Sequence, residues 1–516
     1  MLTESCLTKW GVGAAPGLLA ALLLAAAPAR SQSAPTPLTV RIDATKPHQT
    51  IVNFAASDAW AGQFVGNWPA AKKEAIADLL FSQDKGIGLS MWRFNIGAGS
   101  AEQGEASGIK DEWRRAESFL TPTGSYDFTR QAGQVWFLKA AQQRGVKQFL
   151  GFLNSPPVSL TVTGKAYAKG GQTNLAPANY AALGTYCAKV VQGVKQATGI
   201  TFDYLSPVNE PQWDWSDGGQ EGSPFRNDEL AGVAKAVSAV MVAQRLPTKV
   251  LVSEAGKLDY LFSTADKPGR GDQLGAFFGD KAAPTYLGGT SQVAPIMAGH
   301  SYFTTSPAAT AIATRQQLAA RVAATKGLTY WQSEYCILGD NAGEINGGPR
   351  DLGMKPALYL ARAVHYDLAV GNAAAWQWWL AVSPYDYKDG LIYIDKNKTD
   401  GTYQPSKMLW ALGNYSRYLR PGAVRLDAQL ADSARTGQPL VSAYKSPNGK
   451  QLITVVVNDY DTPATVQIVL SGARLGAGKS YVTSATADLQ PGAPVPAGQP
   501  LRVAPRTITT LVSELR

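Results

Sequence analysis

Two glutamates carry the chemistry this chain advertises: Glu210 in SPVNEPQWDW and Glu334 in TYWQSEYC. Breaking a glycosidic bond takes a carboxylic acid that protonates the leaving oxygen and a carboxylate that faces the anomeric carbon. Carboxyls about 5 to 5.5 Å apart make the second one a nucleophile, and the sugar keeps its configuration. We expect Glu210 to be the acid/base and Glu334 the nucleophile. Tyr302 and Arg93 are expected to hydrogen-bond Glu334 and keep it ionised, whereas a less polar setting would raise the Glu210 carboxyl.

Sugars present polar edges and C–H faces, so their sites combine hydrogen-bonding groups with indole rings. The expected substrate-binding set is Asp58, Trp60, Arg93, Asn154, Asn209, Trp215, His300, Tyr302, Trp376 and Trp378, with Trp213 a further aromatic candidate. Glu254 in SEAG is expected to support the site rather than react. His300 and Tyr302 are two apart and so share one face of a strand. Each of these residues also has a plainer reading, a core Trp or a structural carboxylate. The two glutamates outweigh it by falling together at strand ends. A protein of this kind that only bound glycans would be expected to lack one of them.

Other chemistries find no support. The three histidines, His48, His300 and His365, lack ligand spacing, so no metal is expected. No phosphate-binding glycine loop or G-x-S-x-G elbow occurs, and no cofactor is expected.

These residues must be held by a scaffold, and the chain supplies one. Apolar runs alternate with amphipathic stretches eight times: FAASDAW, GLSMWRFNIG, KQFLGFLNSPP, YLSPVNEPQW, KVLVSEAG, PIMAGHSYF, LTYWQSEYC and NAAAWQWWLA, each followed by helical sequence that is weakest after SEAG. Eight βα units predict an α/β fold, a closed (β/α)8 barrel with its site at the C-terminal ends of the strands. Ser306-Pro307 and Asn227 read as helix starts. After SKMLWALGNYSRYLR, stopped by Pro421-Gly422, short alternating runs (PLVSAYKS, QLITVVVND, ATVQIVLS, TITTLVSE) predict a β-sandwich, which the early strand LTVRID joins. The expected division is a signal peptide over 1–31, a linker and N-terminal sandwich strand over 32–50, the barrel over 51–420 and the sandwich over 421–516.

The signal reading rests on Lys9 ahead of an apolar run from Leu18 to Ala27, too short to span a bilayer, and on the small residues after it. A secreted or periplasmic protein without a membrane anchor is expected, acting as a monomer on a polysaccharide or oligosaccharide. A formal charge of +9 is scattered rather than clustered, which argues against nucleic acid. Of three cysteines, Cys187 and Cys336 lie outside the signal, too few for a disulfide framework.

At its motifs the sequence resembles glycoside hydrolase family 30. VNEPQW is similar to that family's acid/base segment and WQSEYC to its nucleophile segment; WRFNIG, GHSYF and AAWQWW are similar to its second, sixth and eighth strands, YSRYLRPGAVRL to its crossing into the sandwich and APRTITTLV to its last strand. The resemblance implies a retaining enzyme with a barrel and an attached sandwich. NSPPV, VNEPQWDW and QEGSPF together look most like the endo-β-1,6-galactanase branch, acting on arabinogalactan side chains. Val158-Ser159-Leu160 and Ser223 depart from that branch. Related branches cleave β-1,6-glucan or glucuronoxylan.

Overall fold

A buried parallel strand needs apolar side chains on both faces, and the eight apolar runs meet that need. The structure, a computed structural model, describes residues 37–431 and 437–516. The expected signal segment lies outside them. Strands Asn53–Ser57, Met91–Asn95, Gln148–Phe152, Tyr204–Ser206, Lys249–Ala255, Val293–His300, Thr329–Glu334 and Ala375–Ser383 pair in parallel in that order. The eighth pairs with both the seventh, through Ala375 and Trp331, and the first, through Ala375 and Asn53. The sheet therefore closes into the expected barrel.

The helices that pack outside include Ala70–Phe81, Ala132–Gln143, Tyr180–Thr198, Asn227–Ala243, Ala308–Ala323 and Met354–His365. After the fifth strand there is only a turn of helix at Asp259–Phe262 and a five-residue π-helix at Gly275–Gly279, where the sequence was weakest. Two expected caps differ. Pro307, not Ser306, stands at the N-cap, and the Ser306 hydroxyl instead donates to the Asn341 carbonyl. Asn227 begins its helix, and its amide reaches the Gly271 carbonyl. Tertiary partners outcompeted the local turn in both places.

The second domain is a nine-stranded sheet that folds over a small apolar core of Val40, Ile42, Leu426, Leu452, Val456, Val466 and Leu511 among others. The early strand, Leu38–Thr50, lies antiparallel to Val424–Leu430 and parallel to Ala464–Ser471, so the chain enters through the sandwich as expected. The helix Lys407–Ser416 joins the domains. Asn414 donates to the Thr510 hydroxyl (3.0 Å) and accepts from Thr483 (2.6 Å). Cys187 and Cys336 are both buried free thiols.

Candidate active site

The ends of strands four, five and seven converge on one imidazole at the end of strand six. His300, wholly buried, points Nδ1 at Glu210 Oε1 (2.9 Å) and Nε2 at Glu254 Oε2 (3.1 Å), with Glu334 Oε1 3.6 Å from Nδ1. Glu334 also receives Tyr302 Oη at 3.0 Å and Arg93 Nη1 at 3.0 Å, the two contacts expected of it. Oxygens of Glu210 and Glu334 and a ring nitrogen of His300 all lie within 4.8 Å of one another. That spacing is short for a water-filled gap of about 6.5 Å or more and close to the direct-attack geometry. The same three residues could also grip a cation. The sequence reading placed all three at the strand ends of one site but did not give their contacts, because they come from three different strands.

The constellation is held on strained backbone. Glu210 and Glu254 both have positive φ, +44° and +43°, and the Glu210 amide donates to the Glu254 carbonyl at 2.9 Å. Such backbone costs roughly 1–3 kcal/mol per residue and persists only where the surroundings enforce it. Glu254 fills the supporting role expected of it, accepting from Ser206 (2.8 Å), Ser333 (2.5 Å) and His300 and facing no cleft.

The electrostatics differ from expectation at Glu334. Burial pushes its carboxyl above the usual range, aided by Glu210 and Glu254, and His300 and Arg93 only partly oppose this. For His300 burial disfavours the charge, but Glu334, Glu210 and Glu254 outweigh it and push the imidazole up to about 10. Burial likewise acts on Glu254, but there His300, Arg93 and Ser333 win and hold it below the carboxylate norm. At neutral pH the imidazole is a cation donating from both nitrogens, which makes it a poor metal ligand.

Above the carboxylates opens a cleft of about 740 Å³. Trp60, Asn209, Glu210, Trp215, Tyr302 and Glu334 line it, as does Trp213. The Trp215 indole donates to the Glu210 carbonyl at 3.0 Å, tying the wall to the carboxylate. Arg93 lies beneath, wholly buried against Phe152, and donates to Glu334. Asn154 is buried with both amide atoms unpartnered, as is Asn209 Oδ1.

Six of the ten expected substrate-binding residues do not line the cleft: Arg93, His300 and Asn154 lie buried behind it, and Asp58, Trp376 and Trp378 are engaged elsewhere. Asp58 turns away from the cleft: its Oδ1 accepts from the Asn95 amide (2.7 Å) and Gln134 (3.1 Å), and burial pushes it up to about 7. Trp376 and Trp378 are wholly buried on the outer face of the eighth strand, donating to Asp367 Oδ2 and to the Asp389 carbonyl. Alternation sends Gln377 and Trp379 inward instead, Gln377 to Asn53 on the barrel floor and Trp379 to the cleft. The lone Gln among tryptophans was the available signal for that phase.

Trp379, Arg114, Gln220, Phe303, Tyr385 and Asp389 are cleft residues that sequence reasoning missed. Trp60 meets Trp379 edge-on at 5.4 Å, and Arg114 lies 5.0 Å over Trp60 and 5.1 Å over Tyr385. Burial pushes Asp389 up to about 6.

The sequence profile of O-glycosyl hydrolase family 30 matches residues 37–393. A conserved exported protein from Bacteroides fragilis has a similar structure, 31% identical, with a TM-score of 0.84 over 92% of this chain and 100% of that one. The catalytic domain of the family 30 xylanase C from Talaromyces cellulolyticus shares the fold at 20% identity, with a TM-score of 0.67 over 92% of this chain and 99% of that one. Glucuronoxylanase XynC of Bacillus subtilis (strain 168) is 29% identical over 136 residues, 26% of this chain and 28% of that relative.

Proposed function

The chain belongs to glycoside hydrolase family 30, and on that premise we propose that it cleaves β-linked glycans by a retaining double displacement with Glu334 as nucleophile and Glu210 as acid/base. The observation that carries this reading is the pair of carboxylates within 4.8 Å of each other at the floor of an aromatic cleft. Glu210 protonates the glycosidic oxygen while Glu334 attacks the anomeric carbon. Glu210, then a carboxylate, draws a proton from water as that water hydrolyses the glycosyl ester. Tyr302 and Arg93 orient the nucleophile, and Asn209 offers its free Oδ1 to a sugar hydroxyl.

The finer reading is an endo-β-1,6-galactanase. Its support is the NSPPV, VNEPQWDW and QEGSPF combination, whose segments come together: the Phe225 amide donates to the Pro211 carbonyl (3.1 Å), and Ala98 accepts from the Val158 amide (2.9 Å) while donating to Glu221 (3.0 Å). A glucuronoxylanase is the second reading, favoured by the likeness to XynC over 136 residues. Export to the periplasm or medium is proposed from the N-terminal sequence, with support from the similar exported protein. Among the described residues no helix is long and apolar enough to cross a membrane.

A panel of β-1,6-galactan, β-1,6-glucan, glucuronoxylan and aryl β-glycosides, with products sized, tests the substrate. Activity on xylan alone would sink the galactanase reading. Glu334→Gln must abolish all activity, and retained activity would remove the mechanism.

A further inference from the structure

The cleft has two halves of opposite character. Toward strand four the lining is polar, with Asn209 Oδ1 buried and without a partner, and Asn95 Nδ2 and both amide atoms of Asn154 are likewise unpartnered at the ends of strands two and three, behind the lining. Buried polar groups left unpaired cost free energy, so Asn209 Oδ1, which lines the cleft, suits a sugar hydroxyl that would satisfy it. The sugar that is distorted during bond breaking needs such hydrogen bonds.

On the other side, above strands four, six and seven, the wall is apolar. Phe303 and Leu338 line the cleft yet are 43% and 38% exposed, unusual for large hydrophobics. Phe303 has a positive φ of +56°, so its exposure is imposed by the backbone. Its ring meets Trp213 edge-on, centroids 6.3 Å apart at 87°. Each ring rests on a glycine. A Cβ at Gly339 would come within 3.1 Å of the Phe303 ring, and one at Gly256 within 2.4 Å of the Trp213 indole nitrogen. Trp213 is braced further by Tyr260 at 6.0 Å and Lys267 at 5.7 Å. The corner is held in place before any ligand arrives.

We propose that Trp213 and Phe303, with Leu338 beside them, form the platform for the leaving-group sugar, taking its C–H face as Glu210 protonates the oxygen that joins it to the reacting sugar. This rests on the assignment of Glu210 and Glu334. Trp213 and Glu210 share one loop, and the Trp213 amide donates to the Glu210 carbonyl. A leaving sugar seated there holds its bridging oxygen near the acid. The same platform would seat an incoming acceptor when the glycosyl-enzyme is intercepted by a sugar rather than water.

The test compares wild type, Phe303→Ala and Phe303→Trp on two substrates with the same glycone, an oligosaccharide of the best glycan in the panel and its small aryl glycoside. Phe303→Ala should lower the ratio of kcat/KM for the oligosaccharide to that for the aryl glycoside about tenfold or more, the scale of losing one buried aromatic contact. It should also lower transfer to added acceptor sugar relative to hydrolysis, and Phe303→Trp should restore both. An unchanged ratio, with Glu334→Gln inactive, overturns the platform alone. A wild type no more active than Glu334→Gln overturns the catalytic assignment and the platform with it.

Discussion

Replacing His300 by Gln removes the cation around which three carboxylates are packed, and its cost can be worked from the structure. The imidazole is wholly buried and is raised from 6.5 to about 10 by Glu334, Glu210 and Glu254, against burial. A group whose pKa is raised on folding stabilises the fold fully below its unfolded pKa, and loses that contribution as pH rises through the folded value. The window is therefore pH 6.5 to about 10. One proton differing between states gives a slope of about 1.4 kcal/mol per pH unit, so the contribution near neutrality is on the order of 4 kcal/mol. Breaking a buried pair by removing one partner costs a similar 3–5 kcal/mol or so. With an unfolding entropy of about 2 cal/mol/K per residue, a chain of this length shifts by about 1 °C per kcal/mol. Thermal midpoints of wild type and His300→Gln, measured from pH 6 to 10, should differ by about 4 °C at the low end and converge toward the high end. Asp58 and Glu221, pushed up to about 7, and Asp389, pushed up to about 6, titrate lower and are common to both proteins. A gap that stays constant with pH would refute the reasoning, because it would mean that the imidazole is neutral and serves only as packing.

Four further substitutions have outcomes that follow from the same geometry. Glu210→Gln should lose roughly 10²- to 10⁴-fold on a natural glycan, but far less on aryl glycosides whose phenols leave without a proton; equal losses, read from rates against leaving-group acidity, would mean that Glu210 is not the acid. Trp379→Ala should raise KM and, because the ring is buried against Trp60 and Phe152, also destabilise by about 3–5 kcal/mol. Trp376→Phe, which strips Asp367 Oδ2 of its indole donor, should cost about 1–3 kcal/mol by denaturant titration and leave KM alone. Glu221→Gln places a donor against the Ala98 amide and the Ser100 hydroxyl, so it should destabilise by about 1–3 kcal/mol and quicken protease cleavage within residues 213–226; unchanged cleavage would show that the loop does not depend on this tie.

The barrel was legible because parallel strands buried on both faces read as apolar runs, and each run was followed by a helix with its own period. Where the helix after SEAG was weak on paper, it is broken in space. The phase of the eighth strand was misread because AAWQWWLA is apolar at nearly every position. When both faces are buried, alternation has almost nothing to alternate, and only Gln377 marks the inward side. Asp58 was misassigned for a related reason: a polar residue just past a strand end can serve the cleft or the barrel rim, and here it fastens the strand-two end to the helix at Gln134. The helix starts at Ser306 and Asn227 followed local turn chemistry, and long-range carbonyls took both side chains. Phe303 was invisible because nothing in HSYF says that the ring after Tyr302 swings outward on a left-handed backbone.

The raised carboxyl of Glu334 at first sight contradicts its proposed work, since a nucleophile must be an anion. Counting charges resolves this. Arg93 and the His300 imidazolium supply two positive charges to Glu210, Glu254 and Glu334, and Glu254 is held ionised by His300, Arg93 and Ser333. One further proton makes the buried cluster neutral, and burial favours the neutral count. The chemistry requires that same proton at the glycosidic oxygen. His300 Nδ1 lies 2.9 Å from Glu210 and 3.6 Å from Glu334, between the two carboxyls. A bound sugar offers the proton an acceptor only at Glu210, and its developing oxocarbenium charge favours the anion only at Glu334. Both preferences grow toward the transition state, and a group poorly solvated in the resting site gains most from such a counter-charge. Burial of Glu334 thus opposes the anion in the empty cleft and strengthens its pull on the anomeric carbon as the bond breaks, so the energy stored in the first state is returned in the second.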